Sequence, residues 1–216
     1  MAIKAVLFDN DGTLVDTEGV IRASFLHATQ TVLGAEGDAE AFTSMSGRPL
    51  DEMMREVSAE HADELLEVFR AHNHATFDEG VRVVPHALET LASLRGRDLH
   101  VAVVTSKLRW LAVHGLEILD LAEYVELVVT PEDTERPKPA PDPLLYACEQ
   151  LGVEPAECLY VGDSPFDMQA AHAAGCVAVG YVGQGGMFGR EVLDGEQPDY
   201  LVEDLREVVL IALTRE

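Results

Sequence analysis

Lysine is scarce in this chain: its 216 residues include only Lys4, Lys107 and Lys138. Basic residues of both kinds number 15 against 39 acidic ones, a net charge of −24. A nucleic-acid partner needs a basic footprint, so that class is excluded, and an anionic membrane surface with it. A small phosphorylated molecule stays admissible if positive charge is concentrated locally. Most of the acidic charge reads as a solvated surface that keeps molecules apart. Cysteine is also sparse. Cys148, Cys158 and Cys176 show no CxxC spacing, so neither a disulfide framework nor a zinc site is expected. Reduced, partly buried thiols are expected instead. No apolar run reaches the roughly 18 residues of a membrane span. The opening MAIKAVLF is too short and too early charged for a signal peptide. The expectation is a cytoplasmic protein, monomeric or dimeric.

What is present is a regular alternation. Apolar residues make up 47% of the chain, enough for a sizeable core. Five short, β-branched-rich runs recur: KAVLF (4–8), HVAVVT (100–105), VELVVT (125–130), CLYVG (158–162) and CVAVG (176–180). Nearly continuous apolar runs suit strands buried on both faces of a parallel sheet. Helical patterns lie between the later runs. PHALETLASLRGR opens on Pro85, a favoured first helical position, and PDPLLYACEQLG and PFDMQAAHAAG end on Gly152 and Gly175, predicted C-caps. The reading is a doubly wound α/β sheet. One interval breaks the rhythm. Residues 17–80 lack a convincing strand and carry helical spacing in IRASFLHATQTVL and HADELLEVFRAHNHATF. They are expected to form a second, helical domain, hinged near each end and inserted into a core of residues 1–16 and 81–216.

In doubly wound sheets ligands bind at the carboxyl ends of strands. The first run delivers Asp9 and Asp11 there, and the second Thr105 and Ser106. Lys138 follows the third, in RPKPAPD, and the fourth delivers Asp163, Ser164 and Asp167. Converging carboxylates repel by about 4 kcal/mol per close pair at an effective dielectric near 20, so a cation must sit among them. Hard oxygen ligands with no histidine or cysteine suit Mg²⁺. A divalent ion, a lysine and a hydroxyl around a carboxylate describe a phosphoryl-transfer site.

The stretches DNDGTLVDT, VVTSK, RPKPAPD and GDSPFD resemble, in that order, the four motifs of the haloacid dehalogenase superfamily. The helical insertion resembles the C1-type cap of that superfamily. The nearest subgroup is that of the phosphoglycolate phosphatase, pyrophosphatase and β-phosphoglucomutase relatives. The resemblance implies a Rossmann-like core and a Mg²⁺-dependent phosphatase acting on a small phosphorylated metabolite: phosphoglycolate, a sugar phosphate or pyrophosphate. It implies that Asp9 is the nucleophile, forming an aspartyl-phosphate, and that Asp11 is the acid and base. Asp9, Asp163 and the carbonyl of Asp11 are the implied metal ligands, with Asp167 orienting Lys138 or a metal-bound water. Thr105 and the amide of Ser106 hold phosphoryl oxygens, Lys138 neutralises charge, and Gly12 and Thr13 shape the turn beneath the substrate.

Ile21 stands where mutase relatives carry a histidine, which favours net hydrolysis over the alternative, a phosphomutase. A second alternative, a non-enzymatic phospho-receiver module, has no inserted cap and no use for Asp11. Other positions read less sharply. Arg48, in SGRPL, is either solvated or a fork for substrate oxygens. Ser164 is a helix N-cap or a ligand contact, and Lys107 a surface charge or part of a phosphate-attracting field. Asn10 is expected to point away from Asp9 and Asp11 by strand alternation. His72 and His74 fall on different helix faces. GQGGMFG (183–189) reads as a flexible loop near the site, and Trp110 as a packed or edge-exposed aromatic.

Overall fold

The structure, a computed structural model, describes residues 2–215. The chain begins with strand β1 (Ala5–Phe8) and turns into a two-residue strand β2 (Val15–Asp16). Four helices follow: α1 (Glu18–Leu33), α2 (Ala39–Thr43), α3 (Leu50–Val57) and α4 (Ala62–Gly80). A second two-residue strand, β3 (Arg82–Val83), then pairs antiparallel with β2, Val15 opposite Val83 and Asp16 opposite Arg82. The helical segment thus leaves and re-enters the molecule through one short ribbon.

From there strands and helices alternate. The order is α5 (Ala87–Arg95), β4 (His100–Val104), α6 (Arg109–Ile118), β5 (Leu127–Val129), α7 (Asp142–Leu151), β6 (Cys158–Gly162), α8 (Pro165–Ala174), β7 (Val177–Tyr181), α9 (Arg190–Gly195), β8 (Tyr200–Val202) and α10 (Arg206–Thr214). Six strands form one parallel sheet in the order β5-β4-β1-β6-β7-β8. The chain winds outward from β1 through β4 to β5, then returns to β6 on the other side of β1. Such a reversal of strand order opens a crevice at the carboxyl ends of the central strands.

Side-chain alternation sends successive strand residues to opposite faces. Val6 and Phe8 join Val103, Val161, Leu91 and Val208 in one buried layer. Ala5 and Leu7 join Ala102, Tyr160, Leu144 and Met168 in the other. The helical segment has its own apolar centre, in which the Phe25 and Phe42 rings stack at 4.1 Å beside Met54, Leu65 and Phe69.

Several local readings change. Pro85 is not the first residue of a helix: His86 follows it at φ 65°, and the helix begins at Ala87. A sixth sheet strand, β8, was not anticipated. It is an edge strand of three residues, too short for a period-two signal. The cysteines are free, as expected, and all three are buried, Cys148 and Cys158 with their Sγ atoms 3.4 Å apart. Gly152 and Gly175 do end their helices, at φ 69° and 79°, left-handed values that favour a residue without Cβ. No helix among the described residues is long and apolar enough to cross a membrane.

Leu65 is fully buried in the centre of the helical segment. Leu65→Ala is expected to lower stability by about 2–5 kcal/mol, read from the urea midpoint. A loss below about 1 kcal/mol would show that this layer carries little of the packing.

Candidate active site

Asp9 follows β1 directly and is held by a backbone bond, its N–H donating to Val161 O at 2.8 Å. Only 4% of Asp9 is exposed. Asp163 and Asp167 approach from the carboxyl end of the neighbouring β6, and carboxylate oxygens of the three aspartates lie within 4.8 Å of one another. Lys138, 2% exposed, reaches into this group. Its Nζ lies 3.0 Å from Asp9 Oδ1 and 2.7 Å from Asp167 Oδ1, and donates to the Tyr160 hydroxyl at 2.9 Å.

Asp167 is fully engaged. Its Oδ1 takes Lys138 and Tyr160, and its Oδ2 accepts from the N–H and hydroxyl of Ser164. Ser164 is therefore an N-cap: its hydroxyl oxygen accepts from the Asp167 N–H at the start of α8. Asp163 accepts from the Thr13 hydroxyl and, at 2.7 Å, from the Met187 N–H in the glycine-rich loop. That loop borders the site, as its reading from the sequence expected. Gly12 sits at φ 79°, and a Cβ there would lie 2.1 Å from Asp163 Oδ2. The bare backbone is what lets the β1 turn and Asp163 share this space.

The electrostatics point to a missing positive charge. With all three carboxyls ionised, the one ammonium would leave two negative charges in the group (−3 + 1 = −2). Burial pushes the Asp9 carboxyl up to about 7, opposed by Lys138 and assisted by Asp167 and Asp11. Burial, with Asp167 and Asp9 beside it, also holds Asp163 well above the usual carboxylate range. Burial disfavours the charged lysine as well, yet Asp167 and Asp9 outweigh it and raise Lys138 above its ordinary value. Although Lys138 lies close, Asp9 Oδ1 has no aligned hydrogen-bond partner. An orphaned buried oxygen, an all-oxygen donor set and a charge deficit of two fit a divalent cation.

The remaining residues line a cavity of about 280 Å³ above this group. Thr105 Oγ1 accepts from the Lys107 N–H at 3.2 Å, which leaves its own hydrogen free to donate. The Ser106 hydroxyl donates to Gly47 O at 2.9 Å, tying the carboxyl end of β4 to the helical segment. Arg48 reaches the cavity, but its guanidinium pairs with Glu56 at 2.7 Å and lies 3.9 Å from Glu52.

Asp11 stands apart from the three clustered aspartates. Both its oxygens take Lys107 Nζ, at 2.9 and 3.0 Å. Lys107 is thus half-buried in an ion pair rather than free at the surface. Asn10 does not point away as alternation suggested: its side-chain amide donates to Asp11 Oδ1 at 3.1 Å. The strand ends at Phe8, so period-two geometry does not extend to residue 10. Tyr160 was missed because CLYVG read as an apolar strand. Ile21 and Trp110 also line the cavity; Ile21 was marked only as the place of a histidine in mutase relatives, and Trp110 carried no signal beyond its aromatic character. The two histidines do diverge, His72 stacking on His27 and His74 meeting the edge of Trp110.

Lys138→Met is expected to lower stability by about 3–5 kcal/mol, because it strands two buried carboxylates. Denaturant unfolding at neutral pH checks this, and a variant as stable as the parent would show that the aspartates do not need the ammonium.

Comparison with known proteins agrees with this architecture. A family model described as haloacid dehalogenase-like hydrolase matches residues 6–181. The pyrophosphatase PpaX of Bacillus velezensis is 34% identical over 209 residues, covering 97% of this chain and 96% of the relative. The crystal structure of a predicted phosphoglycolate phosphatase from Haemophilus somnus superposes with a TM-score of 0.84 at 26% identity, over 97% of both chains. That of a predicted phosphatase from Clostridium acetobutylicum reaches 0.88 at 24% identity over the whole of both chains, a likeness of fold. With a parallel sheet carrying aspartates at the ends of its two central strands and a family match over most of its length, the chain belongs to the haloacid dehalogenase-like hydrolases.

Proposed function

We propose that the protein is a Mg²⁺-dependent phosphatase that transfers the phosphoryl group of a small phosphorylated metabolite to water through an aspartyl-phosphate on Asp9. The observation that carries this reading is the buried set of Asp9, Asp163, Asp167 and Lys138. The names of the Bacillus velezensis and Haemophilus somnus relatives support a phosphatase and put pyrophosphate and phosphoglycolate, beside sugar phosphates, among the substrates to try. Residues 17–80 serve as a cap over a core of residues 1–16 and 81–216.

In the first step an Asp9 carboxylate oxygen attacks phosphorus, and the bond from phosphorus to the leaving oxygen breaks. Asp11 gives that oxygen its proton. In the second step a water oxygen attacks phosphorus while Asp11 takes a proton from the water. The Asp9–phosphorus bond breaks, and phosphate leaves. The Thr105 hydroxyl and the Ser106 amide hold the phosphoryl oxygens; the Ser106 hydroxyl is occupied by Gly47. Lys138 offsets charge on Asp9 and the phosphoryl group, and Asp167 with Tyr160 holds Lys138 in place. Lys107 keeps Asp11 beside the cavity. Mg²⁺, held by Asp9 and Asp163 with the Asp11 carbonyl, would supply the charge that stabilises the transferring phosphoryl group.

Asp9→Asn is expected to cut phosphate release from a generic aryl phosphate by at least about a thousandfold, as loss of a nucleophile does, while circular dichroism shows the fold retained. Activity within about tenfold of the parent would remove Asp9 from that role.

Cation dependence has a sign. A carboxyl whose folded pKa is raised to about 7 contributes stability that is fully present below its unfolded value near 3.9 and lost as pH rises through about 7. The ion-free protein is therefore expected to weaken over that window. Mg²⁺ should raise Tm more at about pH 8 than at about pH 5, and EDTA should abolish turnover. An equal rise at both pH values would contradict the placement of the ion at Asp9.

A further inference from the structure

Pyrophosphate and phosphoglycolate are charged from end to end, and the cavity above Asp9 is not. Its volume of about 280 Å³ approaches the roughly 300 Å³ at which pockets begin to hold organic ligands. Polar groups reach it from the carboxyl edge of the sheet, among them Asp9, Thr105 and Asp163. The helical segment contributes Ile21, Phe42, Met53 and Phe69, and the start of α6 contributes Leu108 and Trp110. Apolar walls therefore face the reacting end from two sides, and approach of one toward the other would press them onto whatever the phosphoryl group is attached to.

The cations nearby are mostly spoken for. Lys107 is paired with Asp11 and Arg48 with Glu56. Arg70 also borders the cavity and is exposed on α4. A second anionic group on the substrate would find Arg70 at the rim, the hydroxyl of Ser46 and the amide of Asn73, beside aromatic and aliphatic surface.

Building on the phosphatase reading above, we propose that the preferred substrate is a phosphomonoester whose leaving group carries an apolar body, an alkyl chain or an aromatic ring, seated against Ile21, Leu108 and Trp110, with the buried Phe42, Met53 and Phe69 behind them. Apolar surface in contact with a small dianion stays wet, whereas a hydrocarbon leaving group removes it from water. The gain is about fourfold per buried methylene.

The test is steady-state kinetics with Mg²⁺ on ethyl, butyl, hexyl and phenylethyl phosphate, whose alcohol leaving groups are of similar acidity, beside pyrophosphate and phosphoglycolate. The expected result is a rise in kcat/KM of about two- to fourfold per added methylene, with phenylethyl phosphate at least about tenfold above both pyrophosphate and phosphoglycolate. Ile21→Ser and Trp110→Ala alter side chains that are partly exposed, Trp110 by 49%. Each is expected to shrink the ratio of phenylethyl to ethyl phosphate turnover by at least about threefold. A flat series, or pyrophosphate or phosphoglycolate ahead of every hydrocarbon ester, overturns the inference and leaves the phosphatase reading standing. So does a carboxypentyl phosphate that outruns hexyl phosphate, which would assign the far end to Arg70. Release of phosphate from none of these compounds would remove both readings together.

Discussion

An ammonium group sealed among carboxylates is the interaction on which the site depends. Lys138 Nζ touches Asp9, Asp167 and the Tyr160 hydroxyl in a setting from which water is excluded. Removing any one of these ions would leave its partners charged in a poor dielectric. The group is therefore held by mutual need. Asp167 is tied to Ser164 at the head of α8, Tyr160 lies in β6, and Asp9 is fixed by its backbone bond to Val161. The central strands β1 and β6 and helix α8 thus meet at one charge, and the sheet's register sets the spacing of the clustered side chains.

Asp11 belongs to a different circuit. Its partner Lys107 lies over the Phe77 ring, with 5.2 Å from Nζ to the ring centroid. Phe77 belongs to α4, in the helical segment. A cation on an aromatic face gains roughly 0.5–1 kcal/mol at exposed sites and more when desolvated. The carboxyl group assigned to proton transfer is thereby linked to the position of the helices, while the assigned nucleophile is anchored to the sheet.

Much of this was readable from residue order, because charge at the end of an apolar run is costly and so informative. The β1, β4 and β6 runs announced both the strands and the polar residues at their ends, and Gly152 and Gly175 announced helix ends. What escaped was tertiary. Tyr160 looks like any strand aromatic until Lys138 is placed beside it. The Met187 N–H meets Asp163 across 24 positions, and Lys107 meets Asp11 across 96. Helices α2 and α3, of five and eight residues, are too brief for spacing to declare them. Asn10 was misjudged because alternation was carried two residues past the point where the strand stops.

The ribbon of β2 and β3 has a mechanical corollary. Val15 faces Val83 and Asp16 faces Arg82, so the two crossings between sheet and helices lie side by side and are bonded together. The four helices therefore join the sheet through one bonded strip rather than through two separate leads. The Ser106–Gly47 bond gives the same segment a second anchorage, at the end of β4.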